Sequence, residues 1–275
     1  MKPAAMLIDA HIHSRVSPDS SMDPREAVQT LADAGLGCCF TEHVDYVTPA
    51  EGRDAGANDA PRSGVDFVAD LTAYPKTYRI YQSETVGLGL EIGLTAAYRA
   101  LNRRAAALEG LDFIIGSIHF VDGFDISRPE YYDFCRETAV DPHRRWLTYT
   151  REMAASNDFF HSLGHLDYIS RYTPLQEKNI PYAAYPDEYD ALFKTLAERD
   201  AALEINTARF GDRETELCLN EIFRRFHETG GRYVTIGSDA HRPGKLGRHH
   251  ARGLRMAREI GLTPVYFKDK KMKVS

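Results

Sequence analysis

Cysteine is scarce and scattered. Four occur in 275 residues, and no pair has C-x-x-C spacing, so the chain offers neither a disulfide framework nor a thiolate zinc site. Cys38 and Cys39 are adjacent in an apolar run, while Cys135 and Cys218 stand alone. All four read as free, mostly buried thiols of a reducing compartment. Basic charge is also in short supply. The formal net charge of -6 excludes the basic face that nucleic acid or an anionic membrane would require, and Lys268 to Lys273 reads as a short solvated tail. No apolar run approaches the about 18 residues of a membrane span. The stretch 1–10 lacks the apolar centre of a secretion signal, which makes the cytoplasm the expected location. There is one tryptophan, Trp146, read as a core residue. Repeats, low-complexity segments and linkers are missing too.

Apolar residues are not scarce. At 43% of the chain they support a core without staples, and residues 1–275 read as a single barrel-sized domain. Short apolar runs alternate with helical patterns. The runs are Met6 to Ile8, Gly37 to Phe40, Val86 to Leu90, Phe113 to Ile118, Phe159 to Gly164, Ala202 to Asn206 and Tyr233 to Gly237. Helical spacing follows Asp23-Pro24 (an N-cap and a first-turn proline) and marks 95–108, 142–157, 186–199, 214–229 and 248–260. Residues 65–78 look partly helical, with Pro75 as a stop or kink. Residues 47–64 are irregular and rich in Gly, Ala, Pro, Asp and Arg, the character of a lid or insertion. Strands alternating with helices indicate parallel β/α units.

Six of the seven strands run out into a His, Asp or Glu, and the sixth in order ends in Asn206. In a β/α barrel every strand exit faces one mouth. His11 and His13, at i and i+2 and about 7 Å apart, share a strand face, with Asp9 expected behind them on that face. His43, Glu91, His119, His165, Asp239 and His241 follow at successive exits, and Asp19 lies on the first loop. His161 sits about 13 Å back along its strand, so His165 is preferred. His249 and His250, near a helix start, read as solvent-exposed. Nine imidazole and carboxylate donors are too many for one tetrahedral ion and suit two or three divalent ions of Zn, Mn or Fe. Glu91, able to bind through both oxygens, is the natural bridge. Paired ions favour hydrolysis of phosphate esters, amides or related groups by a hydroxide held between them. Asp239 and His241 stand beside that chemistry. The acid for the leaving alkoxide is either a coordinated water or His241.

As a set, Asp9-Ala10-His11-Ile12-His13-Ser14, Thr41-Glu42-His43, Gly89-Leu90-Glu91, Gly116-Ser117-Ile118-His119, Gly164-His165-Leu166-Asp167 and Gly237-Ser238-Asp239-Ala240-His241 resemble the motifs of the PHP (polymerase and histidinol phosphatase) family. The resemblance implies a distorted seven-stranded β/α barrel with three metal ions at the C-terminal ends of its strands. Residues 116–123 and 164–171 resemble the branch that hydrolyses L-histidinol phosphate to L-histidinol and phosphate in histidine biosynthesis. Asp19 stands where some members carry a histidine. Arg171 and Arg209, just past their strands, are expected to grip the substrate phosphate, with Ser117 and Asn206 as minor contributors. Another phosphatase or phosphodiesterase of the family, acting on a different small phosphate ester, is the competing reading. A non-catalytic or nucleic-acid-processing module is disfavoured by the acidic balance.

Overall fold

Alternation of side chains along each strand is what places this chain's polar residues. The computed structural model describes residues 6–46 and 67–275. Seven strands pair side by side, all parallel: β1 Ile8–Ile12, β2 Gly37–Asp45, β3 Val86–Gly93, β4 Phe113–Ser117, β5 Ser162–Leu163, β6 Ala202–Asn206 and β7 Tyr233–Gly237. Just past β7, Asp239 N donates to His11 O (2.8 Å) and His13 N to Ala240 O (3.0 Å), tying the seventh strand's exit to the first. The fold is α/β on a mostly parallel sheet.

The strand residues divide between two apolar clusters. Ile12, Phe40, Leu88, Leu90, Ile114, Leu203 and Ile236 pack into a large core with helix residues such as Ala27, Leu31, Leu192 and Phe226. Ile8, Ala10, Cys39, Phe113, Ile115 and Ala202 face the other way, onto Val265 and Phe267. The last two belong to a C-terminal hairpin, β8 Thr263–Lys268 and β9 Lys271–Val274, with β8 parallel to β7. The stretch read as a solvated tail is therefore structured. Lys268 reaches Ser83 O (2.8 Å), and Lys270 reaches Ala106 O (2.8 Å).

Helices begin where a carboxylate can accept the free backbone N–H groups of a first turn. Asp23 does so for α1 Pro24–Asp33, Asp141 for α5 Pro142–Ser156 and Asp212 for α7 Arg213–Glu228. Helices α6 Pro186–Ala197 and α8 His250–Ile260 also fall close to their expected spans, and α3 is shorter, Arg99–Ala106. Pro75 starts a helix, α2 Tyr74–Tyr78, instead of ending one: its missing N–H is harmless in a first turn. Helix α4 Pro129–Glu137 was not anticipated, because its apolar face of Tyr131, Tyr132 and Cys135 is too short to show a period. Trp146 is buried, and its Nε1 donates to Leu166 O at 3.1 Å. His250 is buried, not exposed; its ring bonds Ile8 O at 3.0 Å. All four cysteines are free. Among the described residues no helix is long and apolar enough to cross a membrane. The proposed lid, 47–64, lies outside the described residues.

Candidate metal centre

The first two histidines owe their aim to an irregularity. Asp9 pairs with Cys38, yet Ile12 pairs with Phe40, so β1 spends three residues where β2 spends two. Such a bulge re-aims the side chains beyond it. Ala10 stays with the smaller cluster, Ile12 joins the large core, and His11 and His13 turn into the mouth, both fully buried. Asp9 is consequently not on their face. It accepts from Ser238 N (2.8 Å), Ser238 Oγ (2.6 Å) and Gly247 N (2.9 Å), which fastens the exit of β7.

Glu91, at the exit of β3, is the hub. Its Oε2 lies 3.2 Å from His11 Nε2, 3.4 Å from His13 Nε2 and 3.1 Å from His43 Nδ1. Its Oε1 lies 3.2 Å from His119 Nε2 and 2.6 Å from His165 Nε2. Asp239 Oδ1 is 3.5 Å from His11 Nε2 and 3.4 Å from His13 Nε2. Asp19 Oδ2 reaches His241 Nε2 at 3.1 Å and His43 Nε2 at 3.6 Å. The fold thus brings all nine candidate ligands to one place. Three groups have donor atoms close enough to share an ion: His11, His13, Glu91 and Asp239; His43, Glu91 and His119; and His13, His43 and His241.

Carboxylates and a serine behind the ring were not recognised from the sequence. Glu204 Oε1 takes His11 Nδ1 at 2.7 Å, and its Oε2 accepts from His165 N at 2.7 Å. Asp45 takes His119 Nδ1 at 2.9 Å, and Ser17 Oγ lies 3.1 Å from His13 Nδ1. A partner on the far nitrogen fixes tautomer and ring orientation and leaves the near nitrogen free to coordinate. Glu204 and Asp45 carried a usable signal, since each lies two residues from a singled-out position on its strand (Asn206, His43). Ser17 carried none.

The four expected substrate contacts divide. Arg171 donates from Nη1 to Asp239 Oδ2 (2.7 Å) and from Nη2 to Asn206 Oδ1 (3.1 Å), with its guanidinium over the Tyr168 ring. Arg209 donates to Asp167 Oδ2 (2.9 Å) and Asn179 Oδ1 (2.8 Å). Asn206 Nδ2 also donates to Glu204 Oε2 at 3.2 Å. Ser117 commits its hydroxyl to Glu91 Oε1 at 2.7 Å and so holds the hub. His161 accepts from Ile114 N at 2.9 Å, stacked between Phe113 and Phe267, away from the mouth. His249 is half-buried beside Arg248.

Electrostatics separates these groups. Burial works against charge on His43, but Glu91 and Asp19 overcome it and raise the imidazole to about 10. His11, buried against Glu204, Glu91 and Asp239, is likewise raised well above the ordinary value, and His119 is raised by Asp45 and Glu91. Burial would raise Glu91, yet the surrounding histidines hold it well below the usual carboxylate range. His13 is the exception: burial and the neighbouring His43 lower it to about 4. The cluster therefore demands positive charge. Divalent cations meet that demand with better geometry than protons. Imidazole nitrogens about 2.0–2.1 Å from a tetrahedral ion lie about 3.4 Å apart; here the facing Nε2 pairs are 3.0 Å apart for His11–His13 and 3.4 Å for both His119–His165 and His43–His241. Glu91 Oε2, buried among those nitrogens, has no hydrogen-bond donor among the described residues. The residues fit metal ions.

Comparison with known proteins agrees with this geometry. The PHP domain family model matches residues 9–208. A probable histidinol-phosphatase of Clostridium acetobutylicum is 34% identical over 98% of this chain and 99% of its own length. The histidinol-phosphatase of Lactococcus lactis is 29% identical over 85% of this chain and 84% of its own. Among solved structures, the Lactococcus lactis histidinol phosphate phosphatase, complexed with zinc, L-histidinol and phosphate, superposes with a TM-score of 0.83 at 28% identity. That match covers 97% of this chain and 98% of the other. The chain belongs to the PHP domain family.

Proposed function

We propose that this chain is a metal-dependent phosphomonoesterase that hydrolyses L-histidinol phosphate to L-histidinol and phosphate, a step of histidine biosynthesis. The observation that carries the reading is the full-length likeness, at 34% identity, to a probable histidinol-phosphatase, joined to a mouth where nine candidate ligands come together with Glu91 at their centre. The seven parallel strands form a distorted barrel, and the whole chain acts as one catalytic unit. The four free cysteines fit a reducing compartment, the cytoplasm.

The roles follow from the contacts. His11, His13, Asp19, His43, Glu91, His119, His165, Asp239 and His241 would hold two or three divalent ions, with Glu91 common to two of the donor groups. When bound, the ions neutralise phosphoryl oxygens and activate water for attack at phosphorus. Glu204, Asp45 and Ser17 orient the histidines that hold them. Arg171, clamped by Asp239 and Asn206, lends positive charge to the mouth where negative charge develops. Arg209, held by Asp167 and Asn179, is the second phosphate contact. We assign His241 to metal and not to the leaving group. Its Nδ1 is directed at Asp239 O (3.0 Å), so Nε2, facing Asp19 and His43, is the nitrogen left to coordinate. Protonation of the leaving alkoxide falls to solvent at the mouth.

The test is phosphate release from a panel of phosphomonoesters and phosphodiesters, with metal content measured beforehand. Histidinol phosphate should give the highest kcat/KM, and chelation should abolish turnover. A preference for a diester, or for another monoester, overturns the assignment.

A further inference from the structure

Ser17 places a hydroxyl group against the far nitrogen of a candidate ligand, His13. Its Oγ donates to Glu42 Oε2 at 2.5 Å. The same oxygen accepts from His43 N at 3.1 Å and lies 3.1 Å from His13 Nδ1. Glu42 is fully buried on the far side of β2 from the mouth, and it receives donors only. Besides Ser17 Oγ these are Ser17 N (3.0 Å), Ser14 N (3.2 Å to each oxygen) and Ser14 Oγ (2.5 Å), the last backed by the Tyr78 hydroxyl at 2.8 Å. Burial raises the Glu42 carboxyl to about 7 against the pull of these donors; above that pH it is a carboxylate that accepts from all four.

Proton counting then fixes the next link. A serine hydroxyl has one hydrogen and two lone pairs. The hydrogen goes to Glu42, one lone pair takes the His43 amide, and the remaining lone pair faces His13. Ser17 can only accept from that imidazole, so His13 must carry its hydrogen on Nδ1. Its Nε2 is left as a bare lone pair aimed at His11, Glu91 and Asp239.

We infer that Glu42 and Ser17 are positioning residues that hold His13 in its Nδ1–H tautomer and thereby keep its Nε2 available for metal. The inference rests on the reading of His13 as a ligand. The relay also binds the metal loop together, since Ser17 stands two residues before Asp19 and is pinned to β2 through Glu42.

Long-range ¹H–¹⁵N spectra of protein labelled in histidine report each tautomer directly, and His13→Asn assigns the signal. At one fixed alkaline pH, the wild-type chain, metal-free and zinc-loaded, should show His13 as the Nδ1–H form. Ser17→Ala should let the Nε2–H form appear and weaken zinc binding by about 10- to 100-fold, and Ser17→Thr should restore both. A wild-type His13 carrying its hydrogen on Nε2 overturns the proposal without any variant needing to fold. So does a Ser17→Ala protein whose His13 tautomer and zinc affinity match the wild type. If His13→Asn itself binds zinc as tightly as wild type, the ligand reading fails and the relay falls with it. Loss of zinc in His13→Asn alone leaves the ligand standing and removes Ser17.

Discussion

At the residue scale, Glu91 concentrates the chemistry, because one carboxylate touches five imidazoles. Replacing it by glutamine keeps the shape but removes the charge that opposes the surrounding histidines. Glu91→Gln should therefore cost more than one equivalent of zinc in elemental analysis and lower kcat/KM by at least about 10²-fold; loss of a single ion would make Glu91 a terminal ligand. The two arginines should separate by the same measurements. Arg209 touches Asp167 and no candidate ligand, so Arg209→Ala should lower kcat/KM by about 10²-fold with metal content intact. Arg171 is 2.7 Å from Asp239. Arg171→Ala should lower kcat/KM at least as much and also loosen metal, because it leaves a buried carboxylate without its counter-charge. Unchanged kinetics in both would remove them from the site.

At the element scale, the site depends on strands that approach closely where they carry their ligands. A Cβ on Gly237, the last residue of β7, would lie 2.4 Å from His11 Cβ and 2.5 Å from Glu204 Oε1. That space is occupied by a candidate ligand and by the carboxylate that orients it. Neither can retreat, since His11 is held by the β1 bulge and Glu204 by His165 N. Gly237→Ala should thus lower the Tm and release zinc together. A variant that keeps its full zinc content would show that β1 and β7 have more freedom than their spacing allows.

For the whole molecule, charge at the mouth couples metal binding to pH. Without metal, the raised imidazoles stabilise the fold while they are protonated. For His43 the unfolded value is 6.5 and the folded one about 10. Its contribution is complete below about pH 6.5 and fades as pH rises toward 10. Metal binding runs the other way, because ligands must be deprotonated to coordinate. The Tm of metal-free protein should fall between pH 7 and pH 10, while the gap between zinc-loaded and metal-free Tm should widen. At saturating zinc that gap should reach roughly 10 °C. A gap that narrows with rising pH would contradict protonated imidazoles in the metal-free site. A single turnover in ¹⁸O-water should place the label in phosphate, with no phosphorylated side chain on acid quench; a trapped phospho-residue would overturn direct attack by water.

Much of this was legible in the sequence, for a physical reason. Strand and helix periods are local, and so is the habit of ending a strand with a potential donor, so most of the parallel strands, the order of the candidate ligands and the family could be read along the chain, while the parallel strand Thr263–Lys268 could not. His11, His43, Glu91, His119, His165, Asp239 and His241 needed only the rule that parallel strands share one exit. Other features came only with the tertiary structure. The bulge in β1 turned Asp9 away from the histidines it was expected to support. Lys268 to Lys273 became a hairpin because Phe267 stacks on Phe113 and His161, a contact set by which strand lies opposite. Glu204 and Asp45 hold imidazoles delivered by other strands, and Glu42 holds the loop at 14–17 delivered by β1. A hydrogen bond between residues that meet only after folding has no period and no spacing in the chain. Which groups can coordinate follows from residue type, while which nitrogen each histidine presents is decided by the partners that folding places behind it.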